Sequence, residues 1–239
     1  MSVWFSSGAF EHRGIDDILH DARTRSVERV ELSSGTAYSP ELLSLVRKAA
    51  KQMHFLVDNY FPPPEKPFVL NIASRDVEGR TRTLDLCHTA IALAAELGAP
   101  FYSVHAGFAA ALKPELLGRP AAQAAALTAG DIDRDAAYAA MVETVRELAD
   151  FAAARGVGLL IENNVISPLY LEKMPLNPLL LTRPDDVEPF FADVGRDNVG
   201  LLLDVGHAKV SATAEEFRPE AFVEAAAPFL RGWHLSDNN

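Results

Sequence analysis

Val199-Gly-Leu-Leu-Leu-Asp204-Val-Gly-His207 is an apolar run that stops in a carboxylate, with an imidazole three residues further on. Leu201, Leu202 and Leu203 suit a strand buried on both faces, as in a parallel sheet. Packing alone does not ask for Asp204 at its end, because a buried carboxylate is costly unless paired, hydrogen-bonded or metal-bound. Gly206 permits a tight turn that would bring His207 back beside Asp204. Three further segments have the same construction. Phe101-Tyr-Ser-Val-His105 ends in an imidazole, Gly158-Leu-Leu-Ile-Glu162 in a carboxylate, and Leu230-Arg-Gly-Trp-His234-Leu-Ser-Asp237 in both. Four strand ends of this kind in one chain point to a shared chemical purpose.

Around these segments, strands and helices alternate. Strand candidates are Val3-Trp-Phe-Ser, Arg29-Val-Glu-Leu and His54-Phe-Leu-Val-Asp58, followed by the four above. Helices are expected over 14–28, from Ser39-Pro40 to about Gln52, from a Ser74 cap to Gly98, over 133–155, over 184–194 and over 219–227. The proline-rich stretch 59–73 is too short for a crossover helix and reads as an extended loop over the strand ends. The connections 106–132 and 163–181 are long. The second is unusually apolar and reads as a lid or an oligomer contact, so a homo-oligomer stays open. A polar loop is expected after strand six. The regular alternation implies a parallel sheet. No G-x-G-x-x-G follows strand one, so a dinucleotide fold has little support. Chemical residues spread over several strand ends match a (β/α)8 barrel, whose site lies on that face. The expectation is one α/β barrel domain over 1–239, with seven β/α units visible and the eighth absent. That gap comes either from truncation or from a tail that the sequence leaves out; a natural end at Asn239 would leave the barrel open.

Composition narrows the function classes. The chain has 239 residues, 49% of them hydrophobic, enough for one large core. No segment is long and apolar enough to span a membrane, and Met1-Ser-Val-Trp-Phe lacks the pattern of a signal peptide. A single cysteine, Cys87, rules out an internal disulfide framework and fits a reducing cytoplasm. A formal charge of −11 argues against nucleic acid as a partner.

Glu162, Asp204 and His234 form the candidate metal set, from neighbouring strands five, six and seven. Two carboxylates and an imidazole suit Mn²⁺, Mg²⁺, Co²⁺ or Zn²⁺. His105 and His207 are each a further ligand or a contact for a substrate hydroxyl. Asp58, Asn59 and Asp237 lie at the same rim and are less specific. Taken one at a time, Glu162 reads equally well as a helix cap, Asp204 as half of a salt bridge and His105 as a satisfied core histidine. His12, His20, His54 and His88 carry no chemical role.

The segments Val104-His-Ala-Gly, Leu160-Ile-Glu-Asn-Asn, Leu202-Leu-Asp-Val-Gly-His and Trp233-His-Leu-Ser-Asp, in that order, resemble the xylose isomerase-like barrel superfamily. That superfamily includes sugar phosphate isomerases and epimerases, and endonuclease IV-type repair enzymes. The resemblance implies that Glu162, Asp204 and His234 are metal ligands, and that a fourth, a glutamate on strand eight, is missing. It implies that His207 contacts substrate as in the isomerases, or binds metal as in the nucleases. His105 matches a nuclease ligand, and Phe68-Val-Leu-Asn-Ile-Ala-Ser resembles the nuclease branch. Asp58 stands where the nucleases place a histidine.

Three readings follow. The first is a divalent-metal-dependent isomerase or epimerase of carbohydrate metabolism, acting on a sugar or sugar phosphate. It works by proton abstraction next to a carbonyl, with Glu162 as base and His207 orienting a hydroxyl; dehydration shares that first step. The second is an apurinic-site endonuclease, and the third a non-catalytic, incomplete barrel.

Overall fold

A computed structural model of the chain describes residues 2–116, 119–174 and 176–236. Its centre is one parallel sheet of seven strands in sequence order. These are β1 (Phe5–Ser6), β2 (Arg29–Leu32), β3 (His54–Asp58), β4 (Phe101–His105), β5 (Gly158–Glu162), β6 (Val199–Asp204) and β7 (Leu230–His234). Helices cross between them: α1 (Ile15–Thr24), α2 (Leu42–Ala49), α3 (Val77–Glu96), α4 (Pro120–Ala126), α5 (Arg134–Ala153), α6 (Pro168–Lys173), α7 (Val187–Val194), α8 (Val205–Glu215) and α9 (Pro219–Ala226). This is the expected α/β barrel with seven of its eight strands, β1 and β7 being the two edges. Phe5 and Trp233 are exposed on those edges.

The sheet is curled. Five interstrand steps separate β2 from β7, roughly 24 Å in a flat sheet at about 4.8 Å per step. Yet His234 of β7 lies 3.1 Å from Glu31 of β2. The two strands therefore face each other across a barrel interior.

The interior is layered, as strand alternation requires. A Cβ added to Gly232 would lie 2.7 Å from Leu202 and 3.4 Å from Leu160, so Leu160, Leu202 and Gly232 share one inward layer. Two residues on, the same parity brings Glu162, Asp204 and His234 into the next layer. Strand pairing fixes that level, with His105 opposite Glu162 and Asp204 opposite His234. Beneath it, Leu201, Leu202 and Leu203 are all buried, on both faces of β6. Burying each is worth about 1.5–3 kcal/mol, which anchors the strand that carries Asp204.

Helix boundaries differ from expectation for local reasons. Helix α3 starts at Val77, because Asp76 accepts from Gly79 N at 2.7 Å, while Ser74 N is tied to the Asn71 carbonyl. The expected polar loop after β6 is helix α8. Its buried face consists of Gly206, Ala208, Ser211 and Ala212, small residues that leave little apolar periodicity to read. Gly206 makes no turn. Asp204 caps α8 by accepting from His207 N at 2.9 Å, so the first helical turn brings His207 back over the carboxylate.

Residues 59–73 contain no strand, as expected. Asn71 staples this loop to the segment after β4: its Nδ2 donates to Phe108 O, and its Oδ1 accepts from Phe108 N and Ala73 N, all near 3.0 Å. The backbones approach so closely that a Cβ on Gly107 would lie 2.3 Å from the Ala73 Cβ. No described helix is long and apolar enough to cross a membrane.

Candidate metal centre

Seven titratable side chains from six strands and one helix start converge at the C-terminal rim of the barrel. Glu162, Asp204 and His234 offer ligand atoms that all lie within 4.8 Å of one another. His105, Glu162 and His207 form a second such group, and Glu31, Asp58 and His234 a third. Glu162 belongs to two of the three groups and sits between the others.

Glu162 is 2% exposed. Its Oε1 accepts from His234 Nδ1 at 3.0 Å and lies 3.5 Å from His207 Nδ1. Its Oε2 is buried without a hydrogen bond, although His105 Nε2 is 3.2 Å away. Asp204 Oδ1 accepts from Ser236 Oγ at 3.1 Å, and Oδ2 lies 3.6 Å from His207 Nε2. Asn163 holds the strand end in place: its Oδ1 accepts from Asp204 N at 2.8 Å, and its carbonyl lies 2.9 Å from His207 Nδ1. A carbonyl only accepts, so Nδ1 of His207 carries the proton and Nε2 is left as an acceptor in the neutral ring.

Electrostatics sets the protonation states. Burial works against a charged His234, but hydrogen bonds to Glu162 and Glu31 more than offset it and lift its pKa to about 11. Burial pushes Glu162 up, while His105, His234 and His207 together bring it below the ordinary glutamate value. Burial, then repulsion from Glu31 and Glu162, holds Asp58 well above the usual carboxylate range, although Ser103 Oγ donates to it at 2.7 Å. Burial lowers His105 and outweighs the attraction of Glu162, so this ring is neutral. Four carboxyl groups thus surround one firmly protonated imidazole. That surplus of carboxyl groups, and the unbonded Glu162 Oε2, fit a divalent cation.

Of the residues expected from the sequence, Glu162, Asp204, His234, His105, His207 and Asp58 come together here. Asn59 does not: it has a left-handed φ of 47° and donates to Ser34 Oγ at 3.1 Å. Asp237 lies outside the described residues. The sequence patterns assign no role to Glu31, Asn163 or Ser103, which the structure places in or beside the cluster. Glu31 lies inside its strand rather than at the end; the available signal was a carboxylate flanked by Val30 and Leu32 in a strand buried between neighbours.

The two long connections cover part of the rim. Tyr170 of α6 donates to Gln123 of α4, Asn164 Nδ2 donates to the carbonyls of Ala106, Gly107 and Leu180, and Ala109 N donates to Pro178 O. Ile166, Leu180 and Leu181 are buried, whereas Leu169 and Leu176 are exposed. The apolar character of 163–181 thus serves mainly to pack a strapped cap.

An α/β barrel with a carboxylate–imidazole centre at its C-terminal rim defines a class of protein. The chain belongs to the family of xylose isomerase-like TIM barrels, whose model matches residues 19–239. Among solved structures it is similar to a D-tagatose 3-epimerase-like protein, at 20% identity and a TM-score of 0.68, covering 100% of this chain and 77% of that one. It is similar to a D-psicose 3-epimerase crystallised in the presence of D-fructose, at 18% identity and a TM-score of 0.69, covering 99% and 73%. The 3-keto-D-glucoside 4-epimerase of E. coli gives 15% identity and a TM-score of 0.67, covering 100% and 80%. At such identities the likeness is one of fold. No curated protein sequence matches the chain.

Proposed function

We propose that this protein is a divalent-metal-dependent isomerase or epimerase of a sugar or sugar phosphate. The observation that carries the reading is Glu162: buried, ionised and with one oxygen free of hydrogen bonds among three histidines. Glu162, Asp204 and His234 would hold the ion, and Mn²⁺, Mg²⁺, Co²⁺ and Zn²⁺ suit that donor set. When bound, such an ion polarises a substrate carbonyl and offsets the negative charge that develops as the adjacent carbon loses its proton.

The chain's own residues do the rest. Glu162 takes the proton from the carbon next to the carbonyl, and its lowered pKa keeps it ionised for that task at neutral pH. His207, with its tautomer set by the Asn163 carbonyl, presents Nε2 to a substrate hydroxyl. Neutral His105, its ring 5.5 Å from that of His207, flanks the same space. Return of the proton to the opposite face of the carbon gives an epimer; return to the neighbouring carbon gives an aldose–ketose pair.

The test is deuterium uptake from D₂O by a panel of keto-sugars and their phosphates, with metal-loaded protein. Wild type is expected to exchange one carbon-bound proton. Glu162→Gln, of unchanged circular dichroism, is expected to lose about 10²–10⁴-fold in rate, the range of general-base catalysis. Wild-type-like exchange by Glu162→Gln, or none by wild type with any of the panel, would overturn the proposal.

One observation favours a second reading, an apurinic-site endonuclease. His105, Glu162 and His207 lie together as a metal centre of that kind requires. Against it stand the −11 charge and Asp58 in place of a histidine. The Phe68–Ser74 segment also has a structural use of its own through Asn71. Nicking of abasic duplex DNA with Zn²⁺ present separates the two readings.

A further inference from the structure

We propose that Glu31 is a positioning residue: it accepts the Nε2–H of His234 and so turns the unprotonated Nδ1 toward the ion held with Glu162 and Asp204. The inference rests on the metal-dependent reading above. Glu31 and His234 are 203 positions apart in sequence, yet Oε2 and Nε2 are 3.1 Å apart, with side chains 9% and 21% exposed. A neutral imidazole has one N–H and one lone pair. The nitrogen on the Glu162 side is Nδ1, at 3.0 Å from Oε1. The other nitrogen meets a carboxylate, which only accepts. Glu162 also only accepts, so both nitrogens face carboxylates while no ion is bound; an ion shared with Glu162 would take the Nδ1 lone pair, and Glu31 would then hold the remaining proton on Nε2. A carboxylate behind a metal-bound histidine fixes its ring and raises its basicity.

Glu31 is well placed to be a fixed post. Its strand is paired on both sides, with Ser6 and Leu56 opposite it, and Val30 and Leu32 on either side are fully buried. A rival role is direct ligation, since Glu31, Asp58 and His234 also lie within 4.8 Å of one another. In that case His234 would turn its lone pair to the Glu31 side, away from Glu162 and Asp204.

The experiment titrates Zn²⁺ into the chelator-treated full chain by calorimetry and records ¹⁵N spectra of the histidines in the Zn²⁺-loaded form. The expected result for wild type is a bound ion, with His234 protonated at Nε2. Glu31→Ala is expected to weaken Zn²⁺ binding about 10–100-fold at unchanged stoichiometry and to mix the two tautomers. Glu31→Gln keeps an oxygen acceptor and is expected to recover most of the affinity; it serves as the variant should the alanine form fail to fold. Unchanged affinity in both variants, loss of one bound ion per chain, or a wild-type His234 protonated at Nδ1 would each overturn this role alone. A wild type that binds no Zn²⁺ would overturn the metal-dependent reading and this role with it.

Discussion

His234 is held between two carboxylates, and the consequence is a pH dependence of known sign. Its pKa rises from an ordinary 6.5 to about 11 in the folded chain. The folded state therefore binds a proton that the unfolded state lacks across that window. The stabilisation is complete below about 6.5 and is lost as pH climbs through about 11. Glu162 works in the opposite sense. Its folded pKa is lowered, so its contribution is present above the ordinary glutamate value of 4.5 and lost as pH falls through the folded value. Chelator-treated protein is thus expected to show its highest Tm between those limits, with Tm falling steadily from neutral to alkaline pH. His234→Gln is expected to flatten the alkaline limb; a limb of unchanged slope in that variant would place the cause elsewhere. The same reasoning makes a divalent ion a competitor of the His234 proton, so apparent metal affinity should rise with pH.

At the scale of elements, the rim depends on two loops that approach too closely for side chains. Gly107→Ala forces a methyl against Ala73, and about 1–3 kcal/mol of destabilisation is expected, as for an overpacked core. Asn71→Ala leaves the amides of Phe108 and Ala73 without their acceptor, at about 1–3 kcal/mol for each. Urea denaturation measures both. Losses below a few tenths of a kcal/mol would mean that the two loops are not stapled as described. Both changes lie on the loops beside β4, so they are also expected to weaken the placement of His105. Strand β6 shows what a buried apolar run does for chemistry. Three leucines fix its height, and the same strand end then serves as helix cap and as candidate metal-site carboxylate at once.

For the whole molecule, the curl of the sheet makes one centre out of residues from Glu31 to Ser236. On the proposed function, a divalent ion bound there would tie β5, β6 and β7 together and would stabilise the folded state by mass action. With free metal at about 100 times Kd the gain is about 2.7 kcal/mol. Thermal unfolding of chelated protein, with and without Mn²⁺, is expected to show a concentration-dependent rise in Tm. Asp204→Ala and His234→Ala are expected to abolish the rise, and a rise that persists in both would show the ion bound elsewhere.

The sequence by itself determined the alternation of strands and helices, the strand ends and the kinds of side chain that stand there, because burial of leucine runs and abrupt polar endings are local patterns. Asp204, Glu162, His105 and His234 were legible for that reason. Helix α8 was not, since its buried face is made of small residues and a glycine such as Gly206 is as compatible with a turn as with a helix start. Only the tertiary structure decided which of these residues meet. Glu31 reaches His234 across the barrel, Asn163 sets the His207 tautomer, and Asn59 points away to Ser34. Curl and strand register create those contacts, and both arise from the sheet as a whole rather than from any one segment.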